Sequence, residues 1–177
     1  MSPLIYGVNG VDPTIDPAAR LAASAVVAGA VTIGAQANLW YNVVLRAESA
    51  SITIGARTNL QDGVIGHADP GIPLEVGDDV GVGHGAVLHG CRIGAGSLIG
   101  MRATVINGAV VPEGCMVAAG SLVLPGLKAE TGWMIMGSPA KAVRPLTEAE
   151  VALVAANAPT YVGLSEAHDL TRGADLG

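Results

Sequence analysis

An aliphatic side chain returns at every sixth position from Leu21 onward, through Val27, Ile33, Leu39 and Leu45. The period then slips by three and resumes as Ile54, Leu60 and Gly66. After an insertion it continues with Val76, Val82 and Leu88, and one residue is dropped before Ile93, Ile99, Val105, Val111, Val117 and Val123. Two positions ahead sits a small or β-branched residue, as at Ala25, Val43, Thr58, Val64, Val80, Ala86, Ser97, Ala103 and Cys115. Residues two apart on a strand share a face, so both sets point inward. Glycine often follows the aliphatic position, at Gly34, Gly55, Gly77, Gly94 and Gly100, where the chain is expected to turn sharply. A short strand, a tight turn and a six-residue period predict a mainly β chain, a parallel β-helix of triangular section with three hexads to a coil. Helical spacing does not fit, and the hairpin signals of an ordinary sandwich are missing.

The repeat places the β-helix domain at residues 21–136. Ahead of it, residues 1–20 carry Pro3, Pro13 and Pro17 and read as a lead-in; behind it, residues 137–177 hold a turn, a C-terminal helix packed on the β-helix, and a tail. The turn is Gly137-Ser138-Pro139-Ala140-Lys141. Thr147 with Glu150 three later has the form of a capping box, and the Ala-rich run through Ala158 predicts a helix. Pro159 is expected to kink or interrupt it, leaving a second helical piece from about Thr160 to Leu170, with frayed final residues.

Composition supports a narrow repeated core, since half of the 177 residues are hydrophobic yet there is no Phe. The net charge is −6 and the nine Lys and Arg are scattered, which argues against a nucleic-acid surface. No long apolar span or basic, apolar leader is read at the N-terminus, so no membrane partner is expected and the cytoplasm is the default. Cys91 and Cys115 lack zinc-like spacing and read as buried thiols.

Three of the four histidines fall between Gln61 and Cys91, and the repeat says how they stack. Aligning Ile33/Leu39/Leu45, Ile54/Leu60/Gly66 and Val76/Val82/Leu88 as coils puts Arg46, His67 and His89 on one outward column, roughly 4.8 Å per coil. Asp62 and His84 share a place on another edge, with Gln61 just before Asp62. Imidazoles at that spacing can aim at one ion, because Zn–N bonds are about 2.0–2.1 Å. His84 cannot easily join them across its own prism, whereas a neighbouring chain in a three-fold assembly could supply it. His168, in the tail, reads as a surface residue.

Leu45-Arg46-Ala47-Glu48, Asn59-Leu60-Gln61-Asp62-Gly63, His67, Val82-Gly83-His84 and His89-Gly90-Cys91 resemble the γ-class carbonic anhydrase family of hexapeptide-repeat proteins, with similarity from about Ala30 to Leu164. The resemblance implies a left-handed β-helix and a homotrimer. It implies a metal, Zn2+ with Fe2+ or Co2+ as alternatives, held between subunits by His67, His84 and His89. It implies reversible hydration of CO2 to bicarbonate by a metal-bound hydroxide. Gln61 matches the residue that orients the hydroxide, Asn59 one that positions CO2, Tyr161 a C-terminal aromatic near the pocket, and Arg46 with Asp62 a pair that bridges subunits. An ion that acidifies water, an amide that fixes lone pairs and an Arg–carboxylate clamp are chemically apt for these roles. The chain departs from the pattern at Glu48, Ser49, Gly66 and Gly163. Its Asp69-Pro70-Gly71-Ile72-Pro73 insertion is short and lacks the glutamate-bearing loop used for proton export in the best-characterised member of the family. Acyl-CoA hydrolysis or acyl transfer on the same fold, and a structural metal-holding subunit, are the alternative functions; three clustered histidines favour metal chemistry over a lone catalytic His.

Overall fold

Every member of the six-residue series points into the core, in three rows fixed by parallel strand pairing. The computed structural model describes residues 2–176, so Met1 and Gly177, the outermost residues of the lead-in and tail, lie outside it. One row runs Leu21, Leu39, Leu60, Val82, Ile99, Val117 and Ile135 in successive coils. The second runs Val27, Leu45, Gly66, Leu88, Val105 and Val123. The third runs Ile33, Ile54, Val76, Ile93 and Val111. The small residues two places earlier are buried beside them, and the polar ones are satisfied: Thr58 Oγ1 donates to Gly77 O at 2.7 Å and accepts from Val80 N at 3.0 Å. The result is a parallel β-solenoid of about seven turns with a single C-terminal helix.

Glycine after the aliphatic position has a different cause from the sharp turn expected. The left-handed backbone at the corners is taken two residues later, by Gln36 (φ 57°), Arg57 (57°), Asp79 (57°), Gly96 (62°) and Arg102 (56°). The preceding glycines instead allow coils to touch. A Cβ on Gly55 would sit 2.4 Å from the Gly77 carbonyl, and one on Gly94 would sit 2.4 Å from Glu113 N. Gly66 fills its aliphatic place by proxy, since a Cβ there would meet Leu45 Cδ2 at 2.6 Å and Leu74 Cδ2 at 3.1 Å.

The three-residue slip after Leu45 is a corner drawn straight: Val44–Ile54 is one extended strand paired with Val26–Ile33, with a register shift between Gly29 and Val31. Arg46 and Glu48 therefore alternate onto the same outward side. The later insertion is a tight turn in which Ile72 N donates to Asp69 O at 2.9 Å. Cys91 and Cys115 are free and buried as expected, and burial pushes the Cys91 thiol up to about 12.

After Trp133–Gly137 and its antiparallel partner Ala140–Pro145, α1 spans Glu148–Ala167. It begins with the expected capping box at Thr147 and Glu150. Pro159 does not interrupt it, and the helix ends at Ala167 rather than Leu170. The proline forfeits one backbone bond, but the helix is anchored on both sides of it. Val154 and Ala158 are buried before it and Ser165 after, with Asn157 bonded to the β-helix. Nor is the described part of the tail frayed: Thr171–Arg172 pairs antiparallel with Arg20–Leu21, and Leu170 packs on Ala22 and Trp40. No helix among the described residues is long and apolar enough to cross a membrane.

Glu150 ties the cap to the preceding strand. Arg144 donates to both its oxygens at 2.7 and 2.8 Å, and Thr147 N donates at 2.8 Å. The Arg144 guanidinium first, and the Thr147 N–H second, hold this carboxyl at about 2, below its ordinary 4.5. A depressed folded value contributes stability that is present above the ordinary value and lost as pH falls toward the folded one. Helical circular dichroism should therefore fall between about pH 4.5 and 2, and Arg144→Leu should move that loss to higher pH. Identical acid profiles for the two proteins would show that the clamp contributes nothing.

Candidate metal centre

Strand register brings Arg46, His67 and His89 into one outward column, with Arg46 paired to His67 and His67 to His89. The two imidazoles lie with ring centroids 4.8 Å apart, and His67 Nδ1 faces His89 Nε2 at 2.8 Å. The turn after His67 brings Asp69 to the same place, its Oδ1 3.9 Å from both nitrogens. Two nitrogens sharing a tetrahedral ion at about 2.0–2.1 Å stand about 3.3 Å apart, so opening this pair by about half an ångström would seat one. Burial first, then the charge of Arg46 and of His89, lowers the His67 pKa, with Asp69 opposing. A neutral imidazole is the form that ligates. The donor set, two imidazoles and a nearby carboxylate, fits a divalent cation.

Around this pair the contacts are polar. Glu48 Oε1 lies 3.2 Å from His67 Nε2 and also takes an ion pair from Arg46. His89 Nδ1 is 2.6 Å from Asn107 Oδ1, and Asn107 Nδ2 donates to Asp69 Oδ2 at 2.7 Å.

His84 stands on a different corner. Tyr41, Asp62, His84 and Met101 follow one another there, linked by Gly63 N–H to Tyr41 O, Gly85 N–H to Asp62 O and Arg102 N–H to His84 O. Asp62 Oδ2 lies 2.8 Å from His84 Nδ1. Within one chain Arg46 pairs with Glu48, and Asp62 with His84, so the two are not partners of each other. Behind this corner runs a row of amides: Gln61 Nε2 donates to Asn59 Oδ1 at 3.1 Å, and Asn59 Nδ2 to Asn157 Oδ1, on α1, at 2.8 Å. Gly81 leaves the space for Asn157, because a Cβ there would lie 2.1 Å from its Oδ1. Tyr161 packs edge-on against Trp40 at 5.4 Å, and its pKa is raised by burial and by Asp62. His168 is exposed, as expected of a surface residue. It packs edge-on against Trp40 at 5.0 Å and meets the Tyr41 hydroxyl at 3.3 Å.

The sequence-predicted residues thus divide between two edges: Arg46, His67 and His89 on one, and Asn59, Gln61, Asp62, His84 and Tyr161 on or beside the other. Asp69, Asn107 and Asn157 are additions. Coil arithmetic could have signalled Asn107, a polar residue one coil on from the glycine that follows His89.

No family model matches the chain. It is 43% identical over 147 residues to a probable carbonic anhydrase of Methanocaldococcus jannaschii, covering 83% of this chain and 92% of that one. It is 39% identical to mitochondrial gamma carbonic anhydrase 1 of Arabidopsis thaliana, covering 88% of this chain but 59% of that one. It is 36% identical to the carnitine operon protein CaiE of Escherichia coli K12, covering 90% and 81% of the two chains. Among solved structures, a hexapeptide transferase family protein from Anaplasma phagocytophilum superposes with a TM-score of 0.88 at 36% identity, covering 93% of this chain and 98% of that one.

If the facing imidazoles are ligands, His67→Ala and His89→Ala should each abolish metal retention, whereas His168→Ala should keep it. Elemental analysis of the purified variants decides, and full occupancy in either of the first two would remove that residue from the ligand set.

Proposed function

The chain belongs to the γ carbonic anhydrase-like family of hexapeptide-repeat proteins, whose reaction is the metal-assisted hydration of CO2 to bicarbonate; we propose that it works at sites shared between the chains of a homotrimer, each holding Zn2+ between His67 and His89 of one chain and His84 of its neighbour. One observation carries this reading. His67 and His89 face each other across 2.8 Å while His84 sits half-exposed on another corner of the prism. Three-fold packing of prisms sets one such edge against the other. Each edge also bares apolar surface suited to contact, with Ile65 47% exposed beside His67 and Met101 54% exposed beside His84. In this reading Arg46 and Asp62, on opposite edges, exchange their partners within the chain for each other across that junction.

A bound divalent ion supplies a water acidified toward a pKa of about 7 as the nucleophile for CO2. The chain's own residues hold and aim. Gln61 is 5% exposed and commits its NH2 group to Asn59, leaving its oxygen free to accept the O–H of the nucleophile and turn the lone pair toward carbon. Asn59 is fully buried, so it acts through Gln61, held in turn by Asn157. Tyr161 supplies an apolar wall next to Asp62. Acyl transfer would need one catalytic imidazole beside a coenzyme groove, and two imidazoles aimed at one point favour an ion instead.

Gln61→Ala should keep its metal while turnover falls by roughly a hundredfold, the scale of losing one aligned polar group in a transition state. Undiminished CO2 hydration in a metal-replete variant would remove Gln61 from the mechanism. The shared site has its own test in mixed assemblies: His84→Ala chains combined with His67→Ala/His89→Ala chains should regain intact sites at some interfaces, though neither variant binds metal alone. Recovery of neither metal nor activity, with subunit exchange verified by mass, would sink the intersubunit assignment.

A further inference from the structure

We infer that Asn107 is a positioning residue for this centre: it fixes which nitrogen of His89 carries the proton and holds the Asp69 carboxylate against the same point. The inference rests on the metal reading above, and on three contacts. Asn107 Nδ2 donates to Asp69 Oδ2 at 2.7 Å. A carboxylate only accepts, so the amide cannot be reversed without setting oxygen against oxygen. Asn107 Oδ1 is therefore the atom facing His89 Nδ1 at 2.6 Å, and that nitrogen must carry the hydrogen. His89 Nε2 is left as a bare lone pair, and Nε2 is the atom aimed at His67 Nδ1.

The backbone has been cleared for this arrangement. A Cβ at position 90 would lie 2.4 Å from Asn107 Oδ1 and 2.9 Å from Ile72 Cγ2, so only glycine after His89 lets the amide fold back over the preceding coil. Gly108 N donating to Gly90 O at 2.8 Å locks the two coils in that register. Partners that fix a ligating imidazole's tautomer typically change metal affinity by about 10–100-fold when removed.

The test uses the full-length native assembly with isotope-labelled histidine. Imidazole nitrogen shifts of the metal-free wild type should show His89 protonated on Nδ1; protonation on Nε2 overturns the inference whatever the variants do. Asn107→Leu should mix the tautomers and weaken Zn2+ by about 10–100-fold in competition with a chelating dye, and an unchanged spectrum with unchanged affinity overturns it too. Should that variant not assemble, Asn107→Asp decides. It keeps an acceptor for His89 and should keep the tautomer; loss of the Nδ1–H form there counts against the inference. A wild type that shows the Nδ1–H form yet takes up no zinc would defeat the metal reading while leaving this role of Asn107 standing.

Discussion

Backbone hydrogen bonds between successive coils decide which residue stands above which, and the chemistry of this protein depends on that register. Trp40 N reaches Leu60 O at 2.9 Å, Gln61 N reaches Val82 O at 2.9 Å and Gly83 N reaches Ile99 O at 2.8 Å, and similar bonds run up the other faces. Side chains alternate along a strand, so a slip of one residue in the coil bearing Leu88 would turn Leu88 to solvent and His89 into the core. The buried rows resist that slip, as do glycines such as Gly55 and Gly94 whose positions leave no room for a Cβ against the next coil. The interior is narrow, filled at each level by a few aliphatic and small side chains, and the chain accordingly has no Phe.

On this frame two amide relays work from behind. His89, Asn107 and Asp69 form one, and Gln61, Asn59 and Asn157 form the other. Each spends buried or half-buried donors and acceptors on one another, which both satisfies them and leaves one atom aimed outward. The second relay starts on α1, so the helix orients a side chain as well as covering the sheet. Its docking on either side of Pro159 is what lets the helix run through. On the other edge Glu48 Oε2 is buried without a partner, although Oε1 serves both Arg46 and His67.

Much of this was readable in the sequence because register in a hexad repeat is arithmetic. Counting sixes from Leu21, with the slip after Leu45 and the dropped residue before Ile93, is enough to stack Arg46, His67 and His89 and to separate them from His84. What counting misses depends on side-chain reach or on tertiary anchoring. Asn107 and Asp69 are joined across coils through an insertion whose path the period does not describe. The glycines after the aliphatic positions were legible as necessary, but their reason, contact with the coil above, needs three dimensions. Pro159 read as a break because local propensity carries no term for Asn157, Ala158 and Ser165 pinning the helix on both sides. The tail read as frayed because nothing local announces that Thr171 and Arg172 return to Arg20 and Leu21.

The proposed division of a three-histidine centre between two edges would couple metal binding to assembly. In that proposal His67 and His89 give an ion half of a tetrahedral shell, and His84 comes from the neighbouring chain. In the proposed trimer, anything that binds the assembled form more tightly than the free chain favours assembly by mass action, and assembly raises metal affinity by the same factor. The exposed apolar residues beside each half-site, Ile65 on one edge and Tyr41 and Met101 on the other, add a metal-independent drive to contact. In the proposed arrangement an isolated chain would hold an ion only at an open pair, while joined edges would add Gln61 and Tyr161 as well as the third imidazole. Turnover and oligomeric state should therefore rise together, because in the proposed site the residues that aim the nucleophile and those that hold most of the metal come from different chains.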